Sequence, residues 1–391
     1  MRHFIKGLIG AVILVILAWL GIWFYAEIRL KQLVATEINA LNSSGTEKVT
    51  YDRMISSRSP LVASVALLRP NLSVQFSSEL PAVNISAARI GAHVDLLHPL
   101  TLHVDIPLSI TISTGGTAQI LTFASADMTE TLTPALWRGD TLNPISGGEA
   151  DFADINLLAS NGSLQVLHID RLTSHETVNA QASNSQTALS LTGDMRNFRI
   201  SPILVRLFNI PFNGTLSHAT TSLTISGPLN WEQISRQTAA LQTEAQSDHF
   251  LLQTTHDWAK AGGHAQGSLN LWLGPSHLQA NLKLGFDQQV QPKGTLDVYA
   301  DHIGQFANDV VTSYPGLQGW VSQIFMILAP YLSNTAQNGQ VLTMHTLYGQ
   351  TGVFTNGQQT GTLPYLNWTN LLNGAPLPAF APGDGSGADS Q

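Results

Sequence analysis

Cysteine is absent from the 391 residues, which excludes disulfides, thiolate metal sites, a cysteine nucleophile and attachment through a lipidated cysteine. Charge is scarce too: Asp, Glu, Lys and Arg make up 11% of the chain, against about 25% in an ordinary soluble domain. The net charge is −8 and the 18 basic residues are thinly spread, so the footprint of a nucleic-acid binder is missing. Catalytic signatures are also lacking. No Gly-Lys dipeptide exists to build a phosphate loop, no serine stands three residues before a lysine, and neither G-x-S-x-G nor H-E-x-x-H occurs. Gly383, Gly385 and Gly387 are closely spaced but sit in a low-complexity tail, without the strand–helix context of a dinucleotide site. What is plentiful is apolar: hydrophobic residues reach 43%, enough for a large core and too many for a disordered chain.

The longest apolar run opens the chain. Residues 7–26 carry no charge, matching the ~20 residues needed to cross a ~30 Å hydrocarbon layer. Trp19, Trp23, Phe24 and Tyr25 crowd its end, where amphipathic rings favour the headgroup layer. Arg2, Lys6 and the terminal amine precede the run, and Glu27, Arg29 and Lys31 come after it, a bias toward N-in, C-out. A cleaved secretory signal is the competing reading. A cut after Ala26 or Gly21 would place Phe24 or Trp19 where the peptidase wants a small residue, so an uncleaved anchor is expected. Leu30, Leu33, Val34, Ile38 and Leu41 then repeat at helical spacing, predicting an amphipathic stalk over residues 27–45.

From Val49 onward the dominant period is two. Leu100, Leu102, Val104, Ile106, Leu108, Ile110 and Ile112 alternate with other residues, all polar but Pro107, giving a strand with one greasy and one wet face. Pro107 cannot donate to a ladder, so this strand should be an edge or carry a bulge. The alternation returns at Leu189/Leu191, Leu223/Ile225, Leu269/Leu271/Leu273, Leu278/Ala280/Leu282/Leu284/Phe286 and Leu296/Val298/Ala300. Turn signals such as Gly115-Gly116, Asn161-Gly162, Gly274-Pro275 and Asn356-Gly357 separate the runs, as in antiparallel sheets with one buried face. The wet face is mostly Ser, Thr, Asn and Gln. Helices are expected around Trp231, Ile234 and Leu241 behind an Asn230 cap, and around Ile303, Phe306, Val310 and Val311. The apolar run from Trp320 to Leu332 is too short to span a bilayer and reads as a core helix. A helix lining a lipid groove is the minor alternative for that run.

One cluster could hold a metal: His93-x-Asp95, His98 and His103-x-Asp105, imidazoles and carboxylates that paired strands would project together. The plainer reading is a wet hairpin face, and no metal or cofactor is assigned. His249, His256, Asp257, His264 and His277 are scattered in register and point to no site.

Irregular landmarks recur in an order that resembles the alphaproteobacterial membrane-anchored family catalogued as domain of unknown function 2125. They are Gly21-Ile22-Trp23-Phe24-Tyr25-Ala26, Leu97-His98-Pro99-Leu100, Asp257-Trp258-Ala259-Lys260-Ala261-Gly262-Gly263, Leu273-Gly274-Pro275 and Gln291-Pro292-Lys293-Gly294-Thr295-Leu296. A closing Asn356-Gly357, Gly361 and Leu363-Pro364 matches as well, so the likeness runs from Phe4 to about Leu372. The chain departs from the pattern at Arg58-Ser59-Pro60-Leu61, where a Gly-aromatic-Pro is expected. The resemblance implies an anchor followed by a long sheet. The plan is also similar to AsmA-like envelope proteins, which are associated with lipid handling.

The expectation is therefore a mainly β protein. A long, twisted, curved antiparallel sheet with a few covering helices stands behind one transmembrane helix, and a closed barrel or sandwich is the alternative. The parts are an anchor (1–26), a stalk (27–45), one β-rich periplasmic domain (46–372) and a flexible tail (373–391). The expected role is non-enzymatic, on the bacterial inner membrane, with the membrane, lipid acyl chains or an envelope protein as partner and no nucleic acid. The alternatives are an assembly scaffold and a metal-dependent enzyme. The candidate lipid-facing side chains are Leu102, Val104, Ile106, Leu108, Ile110, Ile112, Leu282, Leu284 and Phe286.

Overall fold

The computed structural model describes residues 2–382 apart from 44–45, 57–58, 77–80, 140–143, 160–161, 163, 184, 231–232, 235–236, 239–240, 242, 336 and 377–380. The side chains of residues 2–15, of Glu244 and of residues 381–382 are also outside the description. Much of the expected anchor, Asn161 of one expected turn, Trp231 and most of the expected tail thus lie outside the described residues. Among the described residues no helix is long and apolar enough to cross a membrane. The chain is mainly β, and all its described strand pairs are antiparallel. The backbone divides into two compact units, Met1–Ala153 with Leu157–Leu164, and Asp154–Asn156 with Gln165–Gln391.

The N-terminal unit begins with helix α1 (Arg2–Ser43). Strands then come in collinear pairs: β1 (Glu47–Thr50) with β2 (Arg53–Ser56), β3 (Val62–Leu68) with β4 (Asn71–Val74), and β5 (Val83–Ser86) with β6 (Arg89–Asp95). Next are β7 (Thr101–Asp105) with β8 (Ser109–Thr114), β9 (Thr117–Thr122) with β10 (Ser125–Leu132), helix α2 (Pro134–Trp137) and the long β11 (Ile145–Ala159). Each pair is one meander strand interrupted partway; they follow one another in chain order from β1/β2 to β9/β10, which both pair with β11, and the sheet is left open. The interruptions lie side by side. Asp52 N donates to Leu68 O at 3.0 Å, Arg69 N to Ala88 O at 3.0 Å, and Phe123 N to Leu108 O at 3.0 Å, so one crease crosses the sheet. Pro107 sits in it. The proline interrupts an interior strand at Ile106–Leu108, as a residue without an N–H must, and does not mark an edge.

The stripe Leu30, Leu33 and Ile38 does not serve as a free stalk. It is buried against the sheet, and Leu30 and Leu33 form a closed core with Val65, Val94, Leu102, Leu132 and Leu136. Asn42 at the end of the helix exchanges hydrogen bonds with the backbone of Val49, which fixes the register of helix on strand.

The C-terminal unit is a second open meander. Its strands are β12 (Gln165–Val178), β13 (Thr187–Ile200), β14 (Thr215–Ser226), β15 (His264–Leu273), β16 (Ser276–Phe286) and β17 (Pro292–Ala300). β18 (Leu332–Thr335), β19 (Gly339–Gly349), β20 (Gly352–Thr355) and β21 (Gln358–Thr362) complete it. Neighbours pair in chain order except that β17 pairs with β19 and β18 flanks β19. The strand runs read from alternation fall on β13 to β17. Five helices accompany this sheet among the described residues: α3 (Pro202–Phe208), α4 (Glu244–Lys260), α5 (Ile303–Ser313), α6 (Gln318–Leu328) and α7 (Trp368–Leu372). Asn230 caps a turn as expected, accepting from Gln233 N at 3.0 Å. α6 is not the core helix its apolar sequence suggested: it buries no residue, and Trp320, Met326 and Ile327 are 61%, 69% and 70% exposed. Hydropathy alone could not separate a buried helix from one that shows its apolar side.

Candidate functional site

The register of β13 to β19 puts apolar residues on one face. Leu191 stands opposite Leu223, Leu223 opposite Gly267, Gly267 opposite Leu282, and Leu282 opposite Leu296. The adjacent row runs Thr221, Leu269, Ala280, Val298 and Met344. Neither row contains a charge. Leu191, Leu223, Leu269 and Leu282 nevertheless keep 36–44% of their surface exposed, so this floor is only partly covered.

Helices cover its two ends. At one, Trp258 of α4 is buried, donates Nε1–H to Ser226 O at 2.8 Å, and meets Phe286 edge-on at 5.7 Å. Its ring lies so close over Gly263 that a Cβ there would stand 2.3 Å from it, which explains the Asp257–Gly263 motif. Nearby, a Cβ on Gly294 would strike Lys283 O and the Tyr348 ring, whose hydroxyl donates to Lys283 O at 2.6 Å. Burial raises the Tyr348 pKa. Gln291, 3% exposed, clamps Leu366 through its side-chain amide, accepting at 2.8 Å and donating at 3.1 Å. At the other end α5 packs on β16 and β19, with Phe306 stacked on Phe212 at 5.0 Å.

The opposite face is wet. Ser222 and Ser268 hydroxyls meet at 2.6 Å, and His218, Trp272 and His277 stack across three strands with centroids 4.7 and 4.4 Å apart. His218 Nε2 contacts Asp194 at 2.7 Å and Arg196 donates to the same carboxylate at 2.9 Å. Burial works to raise the Asp194 pKa, but those two partners outweigh it and hold it below the usual carboxylate value. At β12 and β13, His168 bridges Asn156 at 2.9 Å and Asp170 at 2.7 Å, and Asp170 also accepts from Asn197 at 2.6 Å and Arg199 at 2.7 Å. Asn197, then His168 and Arg199, lower the Asp170 pKa. A cleft of about 360 Å³ opens beside His168 and Arg199. The sequence signal for this group is His168-x-Asp170, which has the spacing of His93-x-Asp95 and His103-x-Asp105.

The expected His/Asp cluster splits. His93 and His103 are cross-strand partners with rings stacked at 5.0 Å, and His93 lies 3.1 Å from Asp105. Asp95 and His98 belong to the turn instead, where the Leu97 backbone N–H, 2.9 Å from Asp95, is the main cause of that carboxyl's lowered pKa. No group of three or more His, Asp or Glu able to hold a metal is found among the described residues. Of the dispersed histidines, His256 faces Trp368 at 5.1 Å and His277 belongs to the ring ladder.

The nine candidate lipid-facing residues also divide. Leu102, 6% exposed, belongs to the closed core, and Val104 is half-buried opposite Ala92, which packs against that core. Ile106 and Leu108 lie in the crease, with Leu108 55% exposed, while Ile110 and Ile112 are half-buried in β8. Leu282 is on the open floor, Leu284 borders it half-buried, and Phe286 is under the Trp258 cover.

These features define a class: an open antiparallel β protein that, among the described residues, has one sealed and one partly covered apolar face. The chain belongs to the family described as an uncharacterized protein conserved in bacteria, DUF2125, whose model matches residues 23–345. No curated protein and no solved structure matches it.

Proposed function

We propose that this is a non-enzymatic envelope protein that binds lipid acyl chains on the C-terminal unit's leucine floor. In this reading residues 7–26 anchor it in the bacterial inner membrane and the β units lie in the periplasm. The likeness to AsmA-like proteins and the picture of a curved lipid-bearing sheet belong to the same proposal. The observation that carries it is the uncharged, partly exposed row Leu191, Leu223 and Leu282. Each methylene moved from water onto such a surface is worth about 0.8 kcal/mol, so an acyl chain is the ligand this chemistry rewards. A photo-crosslinking amino acid at Leu223 of the full chain, illuminated in cells grown with radiolabelled phosphate, should capture phospholipid. The same group at exposed Gln266 on the wet face should not. Equal capture at both, or none at Leu223, would sink the reading.

A second reading, a scaffold for another envelope protein, draws on the exposed Ile203, Leu207 and Phe208 of α3 and Trp320 of α6. Apolar side chains in such numbers commonly mark an interaction site. Changing Leu207 and Trp320 to Ser should then abolish partner capture while leaving lipid crosslinking at Leu223 intact.

A further inference from the structure

The loops around the upper part of α1 place the N-terminal unit at a depth that a simple anchor would not. Trp19 Nε1–H donates to Pro60 O at 2.8 Å and Trp23 Nε1–H to Val62 O at 3.2 Å. Tyr25 donates its hydroxyl to Trp137 O at 2.5 Å, and Trp137 Nε1–H in turn reaches Pro99 O at 2.9 Å. The start of β3 with the segment before it and α2 thus grip the helix between residues 19 and 25, and the β6–β7 turn is tied to that grip through Trp137. At 1.5 Å per residue, Trp19 lies about 10 Å before Ala26, the last residue of the uncharged run. Only residues 7–18 of that run precede the first described contact, about 18 Å, well short of a ~30 Å hydrocarbon layer. A helix that crosses must therefore take residues 19–26 into the membrane, and the loops bonded to them go with it.

The loops are made for that. Leu61 is 62% exposed, Leu97 72% and Leu100 40%, beside the outward Ile22 and Phe24 of the helix at 56% and 61%. Arg29 stands one turn later, with its guanidinium 3.0 Å from the Tyr25 hydroxyl, at the height where a cation meets headgroup phosphates. From there the helix runs on along the sheet to Asn42 at Val49, about 29 Å beyond Trp23, so the rest of the unit points away from this end.

We propose that the Pro60–Val62 and Leu97–Leu100 loops form a collar inserted in the bilayer interface around α1, with Leu61 and Leu97 among the acyl chains. The proposal rests on the reading that residues 7–26 cross a bilayer, and the test separates the two. The chain has no cysteine, so single cysteines at Ile13, Leu61, Leu97 and Thr117 each carry a unique environment-sensitive fluorophore. Full-length protein in phosphatidylethanolamine–phosphatidylglycerol vesicles is then titrated with nitroxide-bearing lipid. Labels at 13, 61 and 97 should be quenched, and the label at 117, exposed at the β8–β9 turn, should not. Quenching at 13 with an aqueous label at 61 or 97 would overturn the collar and spare the anchor. Quenching at 117 as well would overturn the collar by laying the whole unit on the membrane. An unquenched label at 13 would overturn the spanning reading and the collar together.

Discussion

Both units carry a broad apolar sheet face, and they dispose of it differently. In the N-terminal unit one helix lies along the face, so that Leu30, Val94 and Leu102 retain 0%, 0% and 6% exposure. In the C-terminal unit the described helices that cover the floor sit at the strand ends, and Leu223 and Leu282 keep 36% and 44%. The same alternating code thus yields a sealed core in one case and an accessible floor in the other. The difference lies in the helices that accompany the strands, since the strands themselves are alike. A stripe at helical spacing fits a sheet face along its length, whereas the described side chains of α4 are buried only near its end, at Trp258 and Ala259.

Charge in the sealed core is the severest test of that contrast. Leu30→Asp strands a carboxylate without a partner, at a cost of several kcal/mol against a total of about 5–15 kcal/mol, so the N-terminal unit should lose its thermal transition. Next in size is the cover of the floor. Trp258→Ala should cost about 3–5 kcal/mol. Gly263→Ala, which forces a methyl group into the indole, should cost about 1–3 kcal/mol in chemical denaturation of the same unit. Leu223→Asp should change stability by under about 1 kcal/mol while reducing phospholipid capture by a crosslinker at Leu282, because the aspartate stays hydrated on an open floor.

The smallest effect concerns acid. Asp170 is held below its ordinary pKa by Asn197, His168 and Arg199. Its contribution is therefore full above the unfolded carboxylate value and is lost as pH falls through the folded one. The melting temperature of Asp170→Asn should fall less steeply than that of the parent between about pH 5 and pH 3. Parallel curves would detach this cluster from the stability of the unit.

Much of the sheet was legible because period two is a direct property of a strand: the runs at Leu278 to Phe286 and Leu296 to Ala300 became β16 and β17. Pro107 pointed to an edge or a bulge, and it marks a break in an interior strand. What alternation cannot say is which element covers a face. Leu102 and Leu282 look identical in sequence, yet one lies in the closed core with Leu30 and the other on the open floor. The uncharged stretch from Trp320 to Leu332 misled for the same reason, since burial depends on a partner that local sequence does not name. The His168 group needed the pairing of β12 with β13 before Asp170, Asn197 and Arg199 could be brought together.

The contrast between the two faces is tested most directly by placing the same change on each. Full-length Leu102→Asp and Leu282→Asp proteins are compared with the parent by backbone hydrogen exchange. Leu102→Asp should lose protection across β3, β6 and β7, while Leu282→Asp should keep it across β15, β16 and β17. Collapse of protection in β15 to β17 on introducing Asp at Leu282 would show that the floor is a closed core and contradict the account.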